Sequence, residues 1–227
     1  MKRSMVLLAK KPEPGQVKTR LQPCCSAEGA AALYTAFLRD SAELLAAANA
    51  DEKVIAYAPR DGRAALQQLL EGGGDFTYVA QADGDLGARL QAVVQGAIAR
   101  GAECVVVIGS DSPSLPCEYV DRAFELLEAH QVVLGPSTDG GYYLIGLQRT
   151  ARCPFSHIAW SSGAVLEQTL QQIGGQSLGL LPPWYDVDTP TEAAFLRIHL
   201  RALHRAGSAS GRHSLTALEG IELPPPS

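Results

Sequence analysis

Apolar residues come in compact blocks along this chain, separated by polar, helix-spaced stretches. Met5-Val-Leu-Leu-Ala9 is short and continuous, the pattern of a strand buried on both faces. From Ser26 to Ala48 the spacing turns helical, rich in Ala and Leu, with Ser26 as N-cap. Lys53–Ala58 predicts a second strand, Asp61–Leu70 a helix closed by Gly72-Gly73-Gly74, and Phe76–Ala80 a third strand. Asp85–Arg100 reads as a helix that Asp85 caps, and Cys104-Val-Val-Val-Ile-Gly109 is the clearest strand in the sequence. A helix over Glu118–Ala129, a strand over Gln131–Gly135 and a further strand over Gly141–Leu147, fit for antiparallel pairing, follow. Ser162–Ile173 is helical, Ser177–Leu181 is strand-like, and Thr189–Arg205 is the last long helix. Strands alternating with helices predict one α/β domain over residues 1–205, built on a mostly parallel sheet covered on both sides. The segment 206–227, rich in Gly and Ser and ending Pro-Pro-Pro-Ser, is expected to be a loosely ordered tail.

Composition narrows the function classes. The 227 residues are 46% hydrophobic and 19% charged, enough apolar material for one sizeable core. The net charge of −5 argues against a general nucleic-acid binder, so any basic function must be local. Five cysteines without a C-x-x-C argue against a disulfide framework or a zinc knuckle. The adjacent Cys24 and Cys25 fall in a loop as exposed thiols without an assigned role. The first apolar run is too short for a signal peptide, and no stretch is long enough to span a bilayer, so the expected location is cytoplasmic. Ser161-Ser162-Gly163 lacks the G-x-S-x-G setting of a hydrolase nucleophile.

Five segments carry candidate chemistry. Lys10-Lys-Pro-Glu-Pro-Gly-Gln-Val-Lys-Thr-Arg-Leu21 follows the first strand, at the sheet edge where open α/β sheets bind ligands. There Lys10, Lys18 and Arg20 supply positive charge, and Gly15 lets the backbone approach phosphate oxygens. A solvated basic loop is the alternative. Neither the P-loop nor the dinucleotide-binding spacing is present, which speaks against a dinucleotide oxidoreductase. At Ile108-Gly-Ser-Asp-Ser-Pro-Ser-Leu-Pro116 an acid appears at the tip of the most apolar strand. Asp111 is either a metal ligand or, with Ser112, a helix cap. Asp139-Gly140-Gly141 is a turn signal that would set Asp139 beside an acceptor hydroxyl as a binder or base, or merely close a hairpin. In Trp184-Tyr-Asp-Val-Asp-Thr-Pro190, Asp188 is a second metal carboxylate or part of a helix start, with Asp186 competing. In Gln81-Ala-Asp-Gly-Asp-Leu-Gly-Ala-Arg89, Arg89 is a surface residue or a further phosphate contact.

Taken in order, A-K-x-P-x-P-G-x-V-K-T-R-L, G-D-L-G-x-R, I-G-S-D-S-P-S-L-P, G-P-S-x-D-G-G-Y-Y-L-I-G-L and W-x-D-V-D-T-P resemble the bacterial glycosyltransferase-A-like proteins of the nucleotide-diphospho-sugar transferase superfamily. The resemblance runs from about Met5 to about Leu200. It implies a Rossmann-like three-layer α/β/α sandwich, shared with guanylyl-, cytidylyl- and molybdenum-cofactor nucleotidyltransferases. The first loop also resembles that of phospholactate guanylyltransferases. By this resemblance Lys18 and Arg20 match the phosphate-binding loop, Asp111 and Asp188 the ligands of Mg²⁺ or Mn²⁺, and Asp139 with Gly140 and Gly141 the substrate-side turn. The implied activity is glycosyl transfer from a nucleoside diphosphate sugar. Alternatives are nucleotidyl transfer to a phosphorylated small molecule and nucleotide binding without turnover. The expected partners are a nucleotide or nucleotide-sugar, a small-molecule acceptor and a second copy of the chain in a homodimer, with no nucleic acid and no membrane span. One departure is that the strand tip reads Ser-Asp-Ser, where many sugar transferases carry Asp-x-Asp.

Overall fold

The structure, a computed structural model, describes residues 1–225. Strands β1 (Arg3–Lys10), β2 (Glu52–Ala58), β3 (Thr77–Ala80), β4 (Cys104–Ile108), β5 (Val132–Pro136), β6 (Tyr142–Gln148) and β7 (Leu178–Leu180) form one seven-stranded sheet. Its order is β3-β2-β1-β4-β6-β5-β7, and β6 alone runs antiparallel to its neighbours. Helices α1 (Ala27–Ala47), α2 (Arg63–Leu69), α3 (Leu86–Ala99), α4 (Cys117–Leu126), α5 (Val165–Ile173) and α6 (Pro190–Arg205) alternate with the strands, except that β5 leads directly into β6.

The period-two alternation of side chains divides the core. Met5, Leu7, Ile55, Val106 and Ile108 pack on one face beneath α1, α2 and α4. Val6, Val54, Val105, Val107 and Leu134 pack on the other beneath α3 and α5. Every residue of β4 is buried, which is why Cys104–Ile108 reads as an unbroken apolar run. The result is the expected three-layer α/β/α sandwich. Helix starts follow the caps: Ser26 accepts the Gly29 N–H, Asp85 accepts the Ala88 N–H, and Thr189 forms a reciprocal capping box with Glu192. Helix α5 starts three residues later than expected, because Ser161 lies in the left-handed region and Ser162 turns its hydroxyl back to the Ala159 carbonyl. No helix among the described residues is long and apolar enough to cross a membrane.

The expectation of a loosely ordered tail needs correction. Arg212–Glu219 forms a seventh helix, α7, packed on α1 and α6. Leu218 is buried in a third apolar cluster with Leu21, Leu33, Phe37, Leu196 and Leu200. At the start of α7, the His213 and Ser214 N–H groups donate to the Asp40 carboxylate of α1 at 3.1 and 2.8 Å, and the Ser214 hydroxyl donates to it too. A carboxylate 173 residues before His213 thus caps this helix, a partner that no local pattern announces. Pro226 and Ser227 lie outside the described residues.

Candidate active site

The chain lays down β1, β2 and β3 in one direction across the sheet and then returns to add β4 on the other side of β1. The loops after β1 and β4 therefore part at a topological switch point, the usual ligand crevice of such sheets. Lys18, in the first of these loops, adopts the left-handed conformation with φ 47°. Its ammonium donates to the Val187 carbonyl at 2.7 Å and to Asp188 Oδ1 at 2.8 Å, and pairs with Asp111 Oδ1. The side chain is 4% exposed, with the Phe37 ring 5.4 Å away. Burial opposes its charge, but the two carboxylates outweigh burial and hold its pKa above the ordinary lysine range. The backbone clamps the same point, since the Val187 N–H donates to the Asp111 carbonyl at 2.9 Å.

Asp111 and Asp188 are not helix caps. Helix α4 is preceded by Pro116, an N-cap position with no side-chain cap, and Thr189 is the cap of α6. Their side chains stay 45% and 39% exposed while converging on one buried cation. The Arg20 guanidinium reaches within 3.8 Å of Asp188 Oδ2 from the solvent side. Asp186 takes a different position. It is largely buried and accepts hydrogen bonds from the Ser112 and Ser137 hydroxyls, so it ties the tip of β4 to the tip of β5. Burial first, then the nearby charges of Asp111 and Asp139, push its pKa up to about 6 against the lowering effect of the serines.

The turn at Asp139 is built locally. Asp139 Oδ1 accepts the Gly141 N–H at 2.9 Å, the short-range bond that favours Asp in turns. Gly140, at φ 90°, leaves no room for a Cβ against the Gly163 backbone, and its carbonyl accepts the Leu166 N–H. Gly140 and Gly141 therefore shape the turn, while the exposed Asp139 lies near enough for its charge to be felt at Asp186. Among the described residues no hydrogen bond or ion pair joins Asp139 to Lys18.

Beyond the ends of β1, β2 and β3 lies a cleft of about 620 Å³. Lys10 and Arg89 line it together, Arg89 braced by its Nε donating to the Gly84 carbonyl. Gly15 sits in the adjoining loop with φ 76° and open space where a Cβ would stand. Lys11, Arg60 and Gln81, not singled out from the sequence, line the same cleft. Both amide hydrogens of Gln81 point to strand carbonyls, those of Ala56 at 2.7 Å and Ala9 at 3.3 Å. That fixes the amide orientation and leaves its carbonyl oxygen as the polar group to offer a ligand. Its place directly after β3 was the available signal. Tyr34 joins the two halves of the site: its hydroxyl accepts the Lys10 N–H at 3.0 Å and bonds the Ser110 hydroxyl at 2.9 Å.

Asp111 and Asp188 offer only hard oxygen donors, brought from two distant segments to one point of positive charge. That donor chemistry fits Mg²⁺ or Mn²⁺. Among the described residues, a group of three metal-ligating side chains, Asp40, Glu43 and His213, gathers at the α1–α7 contact, with ligand atoms within 4.8 Å of one another. Those groups are already engaged. Asp40 caps α7, and Glu43 binds Arg212 at 2.5 Å and His213 at 3.0 Å.

Residues 41–162 match the model of a family described as an uncharacterized protein conserved in bacteria (DUF2064). The chain belongs to this family. Its fold is that of the nucleotide-diphospho-sugar transferases. A Desulfovibrio desulfuricans G20 protein, provisionally described as one of these transferases, shares 32% identity at a TM-score of 0.87, over 96% of this chain and 94% of that one. The 4-diphosphocytidyl-2C-methyl-D-erythritol synthase of Anaerococcus prevotii superposes with a TM-score of 0.59 at 12% identity, over 88% of this chain and 96% of the other. CMP:2-keto-3-deoxy-manno-octonic acid synthetase, solved with CTP, gives 0.56 at 14% identity, over 92% and 100%. These two likenesses are of fold. No curated protein sequence matches the chain.

Proposed function

We propose that this family member is a metal-dependent transferase acting on a nucleoside diphosphate sugar. The observation that carries the reading is the convergence of Asp111 and Asp188 on one cationic point beside a basic cleft at the switch point of the sheet. The description of the Desulfovibrio relative at 32% identity supports it. Lys10 and Arg89 would hold the nucleotide's phosphates in the cleft, with Gly15 giving the backbone close approach. Lys18 and Arg20 would neutralise the diphosphate charge that builds on the leaving group. A Mg²⁺ or Mn²⁺ on Asp111 and Asp188 would supply Lewis-acid stabilisation of that charge. Asp139 would bind the acceptor hydroxyl and take its proton.

A second reading, nucleotidyl transfer from a triphosphate to a phosphorylated acceptor, draws support from the cations around the cleft: Lys10 and Arg89, with Lys11 and Arg60 held by Glu13 and Asp83 of the same lining. Calorimetric titration with UDP-sugars, GDP-sugars and free triphosphates, with and without Mn²⁺, separates the two. Mn²⁺-dependent binding of a sugar nucleotide with slow release of free sugar is the expected result. Triphosphate binding with pyrophosphate release, and none with sugar nucleotides, would favour the second reading. Metal-independent binding without turnover would sink both.

A further inference from the structure

Lys18 occupies the position that a cation bridging Asp111 and Asp188 would take. It is held there by more than charge. The Val187 carbonyl accepts its third polar contact, the Phe37 ring lies 5.4 Å away, and the side chain is 4% exposed. We propose that Lys18 is a latch on the metal site: it competes with the divalent cation for Asp111 and Asp188, and releases them when phosphate arrives to receive its ammonium. This rests on the metal-dependent reading above.

The charge balance explains why phosphate must come first or together with the metal. With Lys18 in place, two carboxylates and one ammonium leave one net negative charge, which the exposed Arg20 guanidinium faces from the solvent side at 3.8 Å. A divalent cation taking both carboxylates would strand the ammonium, and a buried lysine without an anion is costly. No other carboxylate pairs with Lys18 among the described residues. A diphosphate brings the missing anion, so metal, nucleotide and the lysine swing become one coupled event. In the free protein the latch keeps two converging carboxylates from repelling each other and from holding stray cations.

The test measures metal binding without turnover. Mn²⁺ is titrated into nucleotide-free wild type, Lys18→Met and Lys18→Gln, each also with Asp111→Asn, and read by electron paramagnetic resonance of free Mn²⁺. Removing the competitor should tighten Mn²⁺ binding by about tenfold or more, with the gain abolished by Asp111→Asn. Thermal unfolding gives a second readout. Mn²⁺ should raise the melting temperature of the Lys18 variants more than that of wild type, which also covers a variant that folds only with metal. Equal or weaker Mn²⁺ binding by both variants, still dependent on Asp111, overturns the latch while the metal site stands. Mn²⁺ binding independent of Asp111 in every protein, or absent from all, overturns the latch and the metal-dependent reading together.

Discussion

Two carboxylate clusters in this molecule use the same parts to opposite ends. At Asp40, one buried acid receives two backbone N–H groups and a hydroxyl, and its neighbour Glu43 is paired with Arg212 and His213. Both Asp40 oxygens are taken by groups at the start of α7, and the product is a docked helix. At Asp111 and Asp188 the buried group is the lysine, and the acids stay nearly half exposed. A buried acid with a closed set of partners is structural. Half-open acids around a buried ammonium still have lone pairs to offer a ligand. The number of ligating groups alone would rank the two clusters the wrong way round, since three gather at Asp40.

The sharpest way to break this contrast is Asp111→Asn. Transfer activity should fall by about 10²–10³-fold, as for loss of a group that stabilises leaving-group charge. Stability should drop only by about 1 kcal/mol, because Lys18 keeps Asp188 and the Val187 carbonyl. A folded, fully active Asp111→Asn protein would remove the site from this end of the sheet. Asp40→Ala should do the reverse. It orphans two N–H groups at the start of α7 and costs about 2–3 kcal/mol in denaturant unfolding, with activity per folded molecule unchanged. Loss of activity without loss of stability would mark the Asp40 cluster as functional after all.

The sequence shows one of these clusters and hides the other, for a physical reason. Parallel strands buried on both faces must be apolar throughout, so Cys104–Ile108 announces both itself and the acid at its tip. Caps such as Ser26, Asp85 and Thr189 act within three residues and are equally readable. Helix α7 depends instead on Asp40 and on the Phe37–Leu200–Leu218 packing, contacts made across most of the chain, and its Gly- and Ser-rich approach suggests disorder. Within Asp186-Val-Asp188 the two acids look interchangeable. Only the fold assigns Asp188 to the lysine and Asp186 to the serines. Likewise the loop suggested Lys18 as a phosphate cation, while its carboxylate partners come from two other segments.

Asp186→Asn probes the middle ground between the two clusters. It touches neither cleft residues nor Lys18, but it holds Ser112, next to Asp111, against Ser137 beyond β5. As a positioning residue it should cost about 10–100-fold in Mn²⁺ affinity or turnover. A purely structural residue would lower the melting temperature and leave Mn²⁺ affinity alone, so the two measurements made together decide its role.

The smallest effect tests whether Asp40 is held against its own solvation. Burial raises its pKa above the ordinary 3.8, outweighing the hydrogen bonds that lower it. An acid with a raised folded pKa binds its proton more readily when folded. Its contribution to stability therefore grows as pH falls from neutral through that raised value, and levels off below 3.8. Glu52 has the opposite sign: burial opposes its charge, but Arg100 at 2.5 Å and Ser4 at 2.6 Å win and lower its pKa from 4.5. Its stabilisation is present above 4.5 and fades as pH falls through the lowered value. Urea unfolding from pH 7 to pH 3.5 should therefore show wild type gaining on Asp40→Asn while it loses its advantage over Glu52→Gln. If the Asp40 curve runs parallel to that of Glu52, the N–H groups of α7 outweigh burial. The buried cap would then be a net electrostatic gain, and the contrast with the half-open acids around Lys18 would rest on exposure alone.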